Sequence, residues 1–559
     1  MKKSQHTPRP QSWLLLLIVI LVLMNGLAHR FFVRIDLTED KRHSIHPATK
    51  QLLSRVGGEV HVTIYLAGDL PTGLKQLQRA AQELLDEFKV YAKHPIYYQI
   101  VDPNAATLQE RKKLFKKLAE KGIQPTNLFI QKHGQRTEKL IYPGALVTYQ
   151  GRAMGVMLLK GSKMTAPAQM VSQSIENLEY ELTSVLDKLV NQERTKVALV
   201  KGHGEPKASQ LHGLTQALSE HYELHEVGLA PTEKLADYGA LLLTKPQQPF
   251  SEEEKYLLDQ YIMQGGKVLF FLDRLRIDMD SLHSGQGFAF PLALNLDDQL
   301  FKYGIRINQD LVQDLHAGVY PVIVGKVGNQ PQLQLLPWPF FPILNNFASH
   351  LITKNMDALY TQFVSSLDTV QAAGVSQTPL VLTSKYSRRL GTPVHVDLAS
   401  LRKAPDPALY NQGPIPVVYL LEGEFTSLYK HRLVPIGFDP AQLRPTSQPT
   451  KLLVAASGSM VLNAIDPRQG QPLPWGLDPF LQQTFANEDF VLSALSYMLD
   501  EAGLINTKRK AFKLRFLDKI KVEQNRLTWQ LINIMPPLLL LLLVGLAWNG
   551  IYKRMFTRF

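Results

Sequence analysis

Two long apolar segments, one near each end of the chain, set the strongest limits on how it folds. The first is "SWLLLLIVILVLMNGLAHR" from Ser12, and the second is "LINIMPPLLLLLLVGLAWNGIYKR" from Leu531. A run of about 20 apolar residues is long enough to cross a bilayer as a helix. We therefore predict membrane spans over residues 12–30 and 529–552. Pro536 and Pro537 are expected near the start of the second span, where a missing amide donor is tolerated.

The first span is preceded by basic residues, which is typical of either a cleaved signal peptide or an uncleaved signal anchor. Gly26 and Ala28 have cleavage-like spacing, but we favour the anchor. Basic residues flank both spans on both sides, so counting charges does not set the orientation. Because a long loop is translocated largely regardless of its charge, we expect cytoplasmic tails over 1–11 and 553–559 and an extracytoplasmic bulk.

The region between the spans has the composition of globular domains. The chain has 559 residues, of which 45% are hydrophobic and 20% charged, so two or three soluble units are expected. The net charge of the chain is +12, but its basic residues are dispersed and form no aromatic-and-basic motif. We therefore predict no nucleic-acid binding. The absence of cysteine excludes disulfides, thiolate zinc sites, iron–sulfur clusters and cysteine nucleophiles.

Residues 31–192 predict a first α/β domain with a linker helix. "EVHVTIYLAG", "LKQLQRAAQELLDEFKVYAK", "IYYQIVDPNA" and "QERKKLFKKLAEKG" alternate between strand and helix patterns. The strand "TNLFIQK" and a hairpin around Gln150 and Gly151 follow. This β-α-β-α-β-β order favours a thioredoxin-like or similar fold. The amphipathic segment "SIENLEYELTSVLDKLVNQE" then predicts a helix that leads out of the domain.

Residues 193–505 predict a second α/β domain built on an open, mostly parallel sheet. One of its helices should begin with Ser251 as N-cap and Glu254 in the capping-box position. A sheet of this type resembles the glutamine-amidotransferase-like fold. Residues 290–450, rich in prolines and short β-like runs, predict a β-rich insertion. A closing helix over "NEDFVLSALSYMLDEAG" and a basic juxtamembrane helix over 506–528 complete the expected order.

The segment "VALVKGHGEP" predicts a strand that runs into a tight turn carrying Gly202, His203, Gly204 and Glu205. The H-x-E spacing occurs in zinc deaminases, but they also need P-C-x-x-C, and this chain has no cysteine. An amidotransferase nucleophile is excluded for the same reason. A serine elbow would need G-x-S-x-G, which "AASGSM" does not match.

Three interpretations of the GHGEP turn are left open. It is a glycine-assisted turn whose His203 and Glu205 bond the backbone or each other, a ligand or partner contact, or a catalytic corner. We place no catalytic residue and no metal here, and expect Gly202, His203, Gly204 and Glu205 to act as contact residues at most. On this view, His203→Ala and Glu205→Ala should leave folding nearly intact.

Asp273 ends a buried strand in "FFLDRLRIDMDSL" and is a further candidate contact residue. Carboxylates at strand ends, with Asp278 and Asp280 close behind, can hold Mg²⁺, but capping of the next turn is commoner. The chain has neither G-x-x-x-x-G-K-[ST] nor G-x-G-x-x-G. We therefore expect no bound cofactor and no ATP hydrolysis by this chain.

Several blocks resemble the GldG family, the gliding-motility-associated ABC-transporter auxiliary proteins of Bacteroidetes. They are "DLTEDKRHSIHPATKQLL", "VALVKGHGEP", "KPQQPFSEEEKYLLDQYIMQGGKVLFFLD" and "NEDFVLSALSYMLDEAGLIN", and their order along the chain is more specific than any one block. The resemblance implies a protein anchored in the bacterial inner membrane with a large periplasmic region. It also implies two partners, a permease and a separate P-loop ATPase.

One turn departs from the family pattern. Where the resemblance leads us to expect an acidic S-D-G-D turn, this chain has Ala456, Ser457, Gly458 and Ser459. Our leading hypothesis is a non-catalytic auxiliary subunit of an ABC-2-type transporter connected with gliding motility or secretion. The alternatives are a membrane-tethered hydrolase or amidase-like enzyme, and a solute-binding scaffold that works without a transporter.

Overall fold

The structure is a computed structural model, and it describes residues 19–21, 24, 44–105, 107–132, 135–160, 166–191, 194–277, 282, 287–327, 330–466, 468–500, 503–509 and 525–556. The chain forms two compact units, Met1–Ala511 and Phe512–Phe559. Most of the predicted first span, the carboxylates Asp278 and Asp280, and most of the predicted basic helix lie outside the described residues. The expected domain boundaries stay predictions.

The fold is a mixed α/β one, as expected, and its helices separate the strands along the chain. The α-helices are α1 (Pro47–Arg55), α2 (Thr72–Tyr91), α3 (Leu108–Glu120), α4 (Pro167–Val190), α5 (His212–His221), α6 (Glu252–Met263), α7 (Asp297–Lys302), α8 (Asn487–Leu499) and α9 (Arg526–Phe556). Short 3-10 helices cover Leu235–Asp237, Ala399–Arg402, Pro407–Leu409, Leu428–His431, Pro440–Gln442, Gly458–Val461 and Leu504–Arg509.

The strands of the first half are β1 (Val60–Ile64), β2 (Ile96–Ile100), β3 (Thr126–Lys132), β4 (Gln135–Ile141), β5 (Gly144–Tyr149), β6 (Arg152–Met157), β7 (Lys196–Val200), β8 (Glu223–Val227), β9 (Ala240–Thr244), β10 (Lys267–Phe271), β11 (Leu275–Arg276), β12 (Gly287–Pro291) and β13 (Ile305–Ile307). Those that follow are β14 (Asp310–Asp314), β15 (Ala317–Val327), β16 (Gln330–Leu344), β17 (Asn346–Phe347), β18 (Leu359–Tyr360), β19 (Leu367–Thr369), β20 (Val375–Leu382), β21 (Ser387–Gly391), β22 (Val394–Val396), β23 (Pro416–Gly423), β24 (Thr450–Ala455), β25 (Leu477–Asp478) and β26 (Gln483–Thr484).

The first sheet has the strand order β2-β1-β5-β6. Strand β1 pairs with β2 in parallel and with β5 antiparallel, and β5 and β6 form the hairpin expected at Gln150 and Gly151. Both turn residues have positive φ, which suits a two-residue hairpin loop. The predicted strand at Thr126–Lys132 is present, but β3 pairs with β4 in a separate two-stranded hairpin instead of extending this sheet.

The second sheet has eight strands in the order β17-β20-β23-β24-β10-β9-β7-β8. The run from β8 to β24 pairs in parallel, whereas β23, β20 and β17 continue the sheet antiparallel. The antiparallel strands come from the region expected to be an insertion. That part of the chain therefore both extends the sheet and builds its own β-rich core around Trp338, Phe340 and Phe341.

Helices cover both faces of the second sheet because its strands are apolar on both sides. Residues of β7 alternate between two cores, with Val197 and Leu199 in one and Ala198 and Val200 in the other. The first core contains residues of α5 and α8, and the second contains residues of α6 and α7. Three layers result, and the turns after the parallel strands are brought together at the carboxyl edge of the sheet.

Helix α4 joins the two α/β regions through contacts made late in the chain. Leu504 packs into the core beneath the first sheet, together with Leu178 and Leu182 of α4. The Tyr180 hydroxyl lies 2.8 Å from the Ser496 hydroxyl of α8. The predicted linker helix is therefore a packed part of the unit.

Helix α9 contains the segment Leu527–Gly550, which is long and apolar enough to cross a membrane, with a mean hydropathy of 2.2. The expectation that Pro536 and Pro537 lie at the helix start is wrong, since α9 begins at Arg526 and both prolines are internal. The apolar sequence upstream of the prolines continues the helix. Each proline removes only one amide donor, and a helix still satisfies most backbone groups in a bilayer.

Candidate functional site

The GHGEP turn follows β7 at the carboxyl edge of the parallel strands. Gly202 has φ +116° and Gly204 has φ +70°, so both glycines occupy backbone conformations that other residues rarely adopt. The Glu205 carboxylate accepts hydrogen bonds from the amide of Gly202 at 3.0 Å and from the amide of His203 at 3.0 and 3.1 Å. The carboxylate therefore folds back onto its own turn and holds it closed.

His203 lies inside the protein, with only 2% of its surface exposed. Its ring stacks on Phe250 with centroids 3.7 Å apart and planes inclined by 16°. Nδ1 lies 3.5 Å from Glu205 Oε1, and Nε2 lies 3.2 Å from Glu254 Oε1. Neither contact is a well-aligned hydrogen bond, so the imidazole is held between two carboxylates chiefly by charge and by stacking.

Helix α6 supplies the second carboxylate through its first turn. Ser251 is the N-cap, and the predicted capping box is confirmed, because Glu254 accepts from the Ser251 amide at 2.8 Å and Ser251 Oγ accepts from the Glu254 amide at 3.2 Å. The other oxygen of Glu254 is the one that faces His203. The spacing of Ser251 and Glu254 predicted the start of a helix. No sequence feature linked Glu254 or Phe250 to His203.

Charge and burial oppose each other at this corner. Burial lowers the pKa of His203, but the carboxylates of Glu205 and Glu254 outweigh it and raise that pKa above its ordinary value. Burial also tends to raise the pKa of Glu205, but the adjacent His203 ring and the hydrogen bonds from the turn amides outweigh it and lower that pKa. Burial likewise tends to raise the pKa of Glu254, but its capping bonds and His203 outweigh burial and lower that pKa. The two carboxylates therefore favour the protonated form of the His203 ring despite its burial.

From its sequence, His203 is expected to be a contact residue whose replacement leaves folding nearly intact, whereas its burial favours a role in stability. Its backbone carbonyl also accepts bonds from the amides of Gln247 and Gln248, at 2.7 and 2.9 Å. Glu205 bonds the backbone and faces His203. This is the arrangement of the first interpretation, a glycine-assisted turn whose side chains bond the backbone or each other. The ring nitrogens point at protein carboxylates within the corner.

Asp273 lies in a second corner, after β10. One carboxylate oxygen accepts a 2.7 Å bond from the Gly458 amide, and the other forms a 2.8 Å ion pair with Lys245, the residue that follows β9. Lys245 has φ +52° and lies directly over Gly458, where an added Cβ would meet the lysine side chain at 2.6 Å. Asp273 therefore joins three parallel strands and caps the turn after β24.

The two corners are linked by the segment Lys245–Phe250, which pairs with Asp273 at its start and stacks on His203 at its end. Near the second corner, Ser457 and Ser459 form a 2.7 Å hydrogen bond with each other, and Ser459 Oγ lies 3.2 Å from the Gln362 carbonyl. Both hydroxyls therefore have protein partners. Within the described part of the chain, no group of three or more His, Asp or Glu is arranged to hold a metal ion.

The site is thus part of a three-layered α/β domain whose strand-end charges are paired with other groups of the protein. A family model described as "ABC-type uncharacterized transport system" matches residues 194–494, more than half of the chain. The chain belongs to this family of ABC-transporter auxiliary proteins. A second model, the domain of unknown function DUF7088, matches residues 39–148 in the first α/β region.

One relative is an uncharacterized protein of Borreliella burgdorferi, 25% identical over 413 residues, which are 71% of this chain and 74% of the relative. Two solved structures also align. The mmIFT52 N-terminal domain has 13% identity and a TM-score of 0.31, covering 55% of this chain and 98% of that domain. A ThuA-like protein from Parabacteroides merdae has 12% identity and a TM-score of 0.27, covering 55% of this chain and 91% of its own.

Proposed function

We propose that this protein is a non-catalytic, membrane-anchored auxiliary subunit of an ABC-2-type transporter of the GldG kind, connected with gliding motility or surface secretion. The observation that carries the proposal is the family match over residues 194–494, which spans β7 to β26 and both corners. The resemblance of the sequence blocks to GldG supplies the finer assignment. An auxiliary subunit contributes shape and contacts, while transport energy comes from another chain.

The partners follow from what the sequence lacks. Since the chain has no P-loop motif, ATP hydrolysis has to come from a separate P-loop ATPase, and passage across the bilayer from a permease. Helix α9 supplies an anchor of spanning length. With a first span over 12–30 and cytoplasmic tails, the α/β regions would stand in the periplasm beside the inner membrane.

The non-catalytic part of the proposal is supported by how the strand-end groups are used. Glu205 is engaged by two backbone amides, His203 by two carboxylates, and Asp273 by Lys245 and Gly458. A general base has to reach a substrate proton within about 3 Å, and these groups reach each other instead. We therefore propose that the corners shape the carboxyl edge of the sheet as a contact surface.

Co-purification of the tagged full-length chain from its own membranes tests the proposal. We expect an ABC permease and a P-loop ATPase to be recovered together with it in mild detergent, and a tagged unrelated single-span protein serves as the control. Recovery of neither partner contradicts the transporter role. In that case, hydrolysis of ester or amide substrates by the protein, lost in His203→Ala, would favour the enzyme alternative, and a bound solute would favour the scaffold.

The proposed orientation can be tested by cysteine labelling, because the native chain contains no cysteine. A cysteine at Lys207, which is exposed after the GHGEP turn, should react with a membrane-impermeant maleimide in cells with a permeabilised outer membrane. A cysteine at Thr557 in the C-terminal tail should react only after the inner membrane is opened. The reverse pattern would place the large region in the cytoplasm.

A further inference from the structure

The loop Lys430–Phe438, between β23 and β24, is held firmly at its base and is named here the 430–438 loop. Ser427 and Leu428, just before it, donate hydrogen bonds of 2.6 and 3.0 Å to the buried carboxylate of Asp259 on α6. The Tyr429 hydroxyl donates to the Glu252 carbonyl in the first turn of α6 at 3.0 Å. The base of this loop is therefore part of the folded core.

The interior of the loop is apolar and packed. Val434 and Phe438 lie against a small core formed by Tyr256, Leu428 and Tyr429. The Phe438 and Tyr256 rings are 4.7 Å apart between centroids. These inward side chains fix the path of the loop on both sides of its tip.

The tip points two aliphatic side chains away from the protein. Leu433 is 94% exposed and Ile436 is 95% exposed, more than any other large hydrophobic residue in the described part of the chain. The Phe438 amide bonds the Pro435 carbonyl at 3.3 Å, and Gly437 has φ +98°, which is the signature of a type II turn with Ile436 at its corner. An ordered turn thus holds both side chains in water, where burial by a partner would be favourable.

The charges beside the tip decide the kind of partner. Lys430 and His431 precede it, Asp439 follows it, and Arg432 is paired with Asp298 at 2.6 Å. An anionic lipid surface is recognised by clusters of about four to eight Lys or Arg residues, and this loop does not provide one. An apolar centre with a rim of both signs is instead the composition of a protein–protein contact.

We propose that the tip of the 430–438 loop inserts Leu433 and Ile436 into an apolar hollow on the periplasmic side of the ABC permease, with Lys430 and Asp439 facing charges at its rim. The inference rests on the proposed function and names one contact between this protein and the permease. A few central side chains usually supply most of the binding energy of an interface, and the proposal assigns that central position to Leu433 and Ile436.

The test compares full-length tagged chains in their own membranes. The double variant Leu433→Ser/Ile436→Ser should recover at least about tenfold less permease than the wild type, since both central anchors are lost. The control is Leu409→Ser, because Leu409 is also an exposed aliphatic residue, at 53%, but lies outside this loop, in the 3-10 helix Pro407–Leu409; this variant should recover the normal amount. Both sites are exposed, and an unchanged thermal unfolding profile checks folding.

A photo-crosslinking residue at position 436 of the full-length chain identifies what touches the tip. A crosslink to a peptide of an ABC permease, absent with the same residue at position 409, supports the proposal. An adduct with lipid only, a crosslink to a second copy of this chain, or no crosslink overturns it.

The two proposals fail in different ways. If the wild type recovers the transporter and the double variant recovers it equally well, the loop proposal is wrong while the auxiliary role stands. If the wild type recovers no transporter component, the auxiliary role itself is wrong.

Discussion

The GHGEP turn and the base of the 430–438 loop both contact the first turn of α6, yet the two regions differ in which groups they bury. Glu254 reaches His203, which is 2% exposed, while Glu252 meets Tyr429 at the base of a loop whose Ile436 is 95% exposed. In the first region polar groups are turned inward and bonded to one another. In the second, apolar groups are turned outward with no neighbour among the described residues that buries them.

This difference separates stability from recognition in two regions that contact the same helix. A buried, bonded charge contributes to folding and offers little to a partner, whereas an exposed aliphatic residue contributes little to folding and can be buried by a partner. Substitutions in the GHGEP turn should therefore lower the free energy of unfolding, and substitutions at the tip should spare it. The following predictions test that separation from the largest expected effect to the smallest.

Asp259→Ala should have the largest effect on the free energy of unfolding. The Asp259 carboxylate is fully buried and accepts bonds from Tyr303, Ser427 and the Leu428 amide. Its removal leaves buried donors unsatisfied, which costs about 3 kcal/mol or more. Urea unfolding measures the loss. Asp259→Asn, which keeps acceptor capacity, is the control and should lose less; a loss below about 1 kcal/mol for the alanine variant would contradict the anchoring role.

His203→Ala should lower the free energy of unfolding by about 2 to 3 kcal/mol, because it removes a buried ring and leaves Glu205 and Glu254 facing each other. The matched control is His225→Ala. His225 also pairs with a carboxylate, Glu223 at 2.8 Å, but its side chain is 38% exposed, so its loss should stay below about 0.5 kcal/mol. Equal losses for the two variants in urea unfolding would remove the distinction between buried and exposed pairs.

Gly202→Val should cost about 2 kcal/mol through the backbone alone. An added Cβ at Gly202 meets nothing within 4 Å, so the cost comes from φ +116° and not from a clash. Gly228, which also has open space around an added Cβ and no positive φ, provides the control as Gly228→Val. The difference between the two unfolding free energies measures the backbone term, and no difference would show that the turn relaxes.

The local elements of this fold could be predicted from the sequence because their signals are local. The capping box at Ser251 and Glu254, the hairpin at Gln150 and Gly151, and the strand before Gly202 depend on residues a few positions apart. The antiparallel pairing of β23 with β24 could not be predicted, because proline-rich residues with short strand patterns separate it from the strands that it extends. Strand register between distant segments is fixed by packing.

The candidate site was found only in part for the same reason. Spacing singled out His203 and Glu205, but Phe250 and Glu254, which complete the corner, lie more than 40 positions away. The exposure of Leu433 and Ile436 has no sequence signal, since "HRLVPIGFDP" has as many apolar residues as a buried turn would have. Which of them face inward is set by Tyr256 on α6.

The smallest effect is expected in the pH dependence of the His203 contribution. Because Glu205 and Glu254 raise the pKa of His203 despite its burial, its charged form stabilises the fold fully below the unfolded pKa of about 6.5. That contribution is lost as the pH rises through the folded pKa. The pKa values of both carboxylates are lowered, so their contribution is present above about pH 4.5 and is lost as the pH falls through their folded pKa values.

The difference in unfolding free energy between the wild type and His203→Ala should therefore be largest between about pH 4.5 and 6.5 and should shrink on either side. Urea unfolding across this range measures it. Phe250→Leu is the control, because it removes the stacked ring but keeps both carboxylates; this variant should be less stable at every pH and retain the same pH profile. If the difference in unfolding free energy between the wild type and His203→Ala instead grows steadily above pH 6.5, His203 is buried as the neutral imidazole. The ring is then held by Phe250 and not by charge.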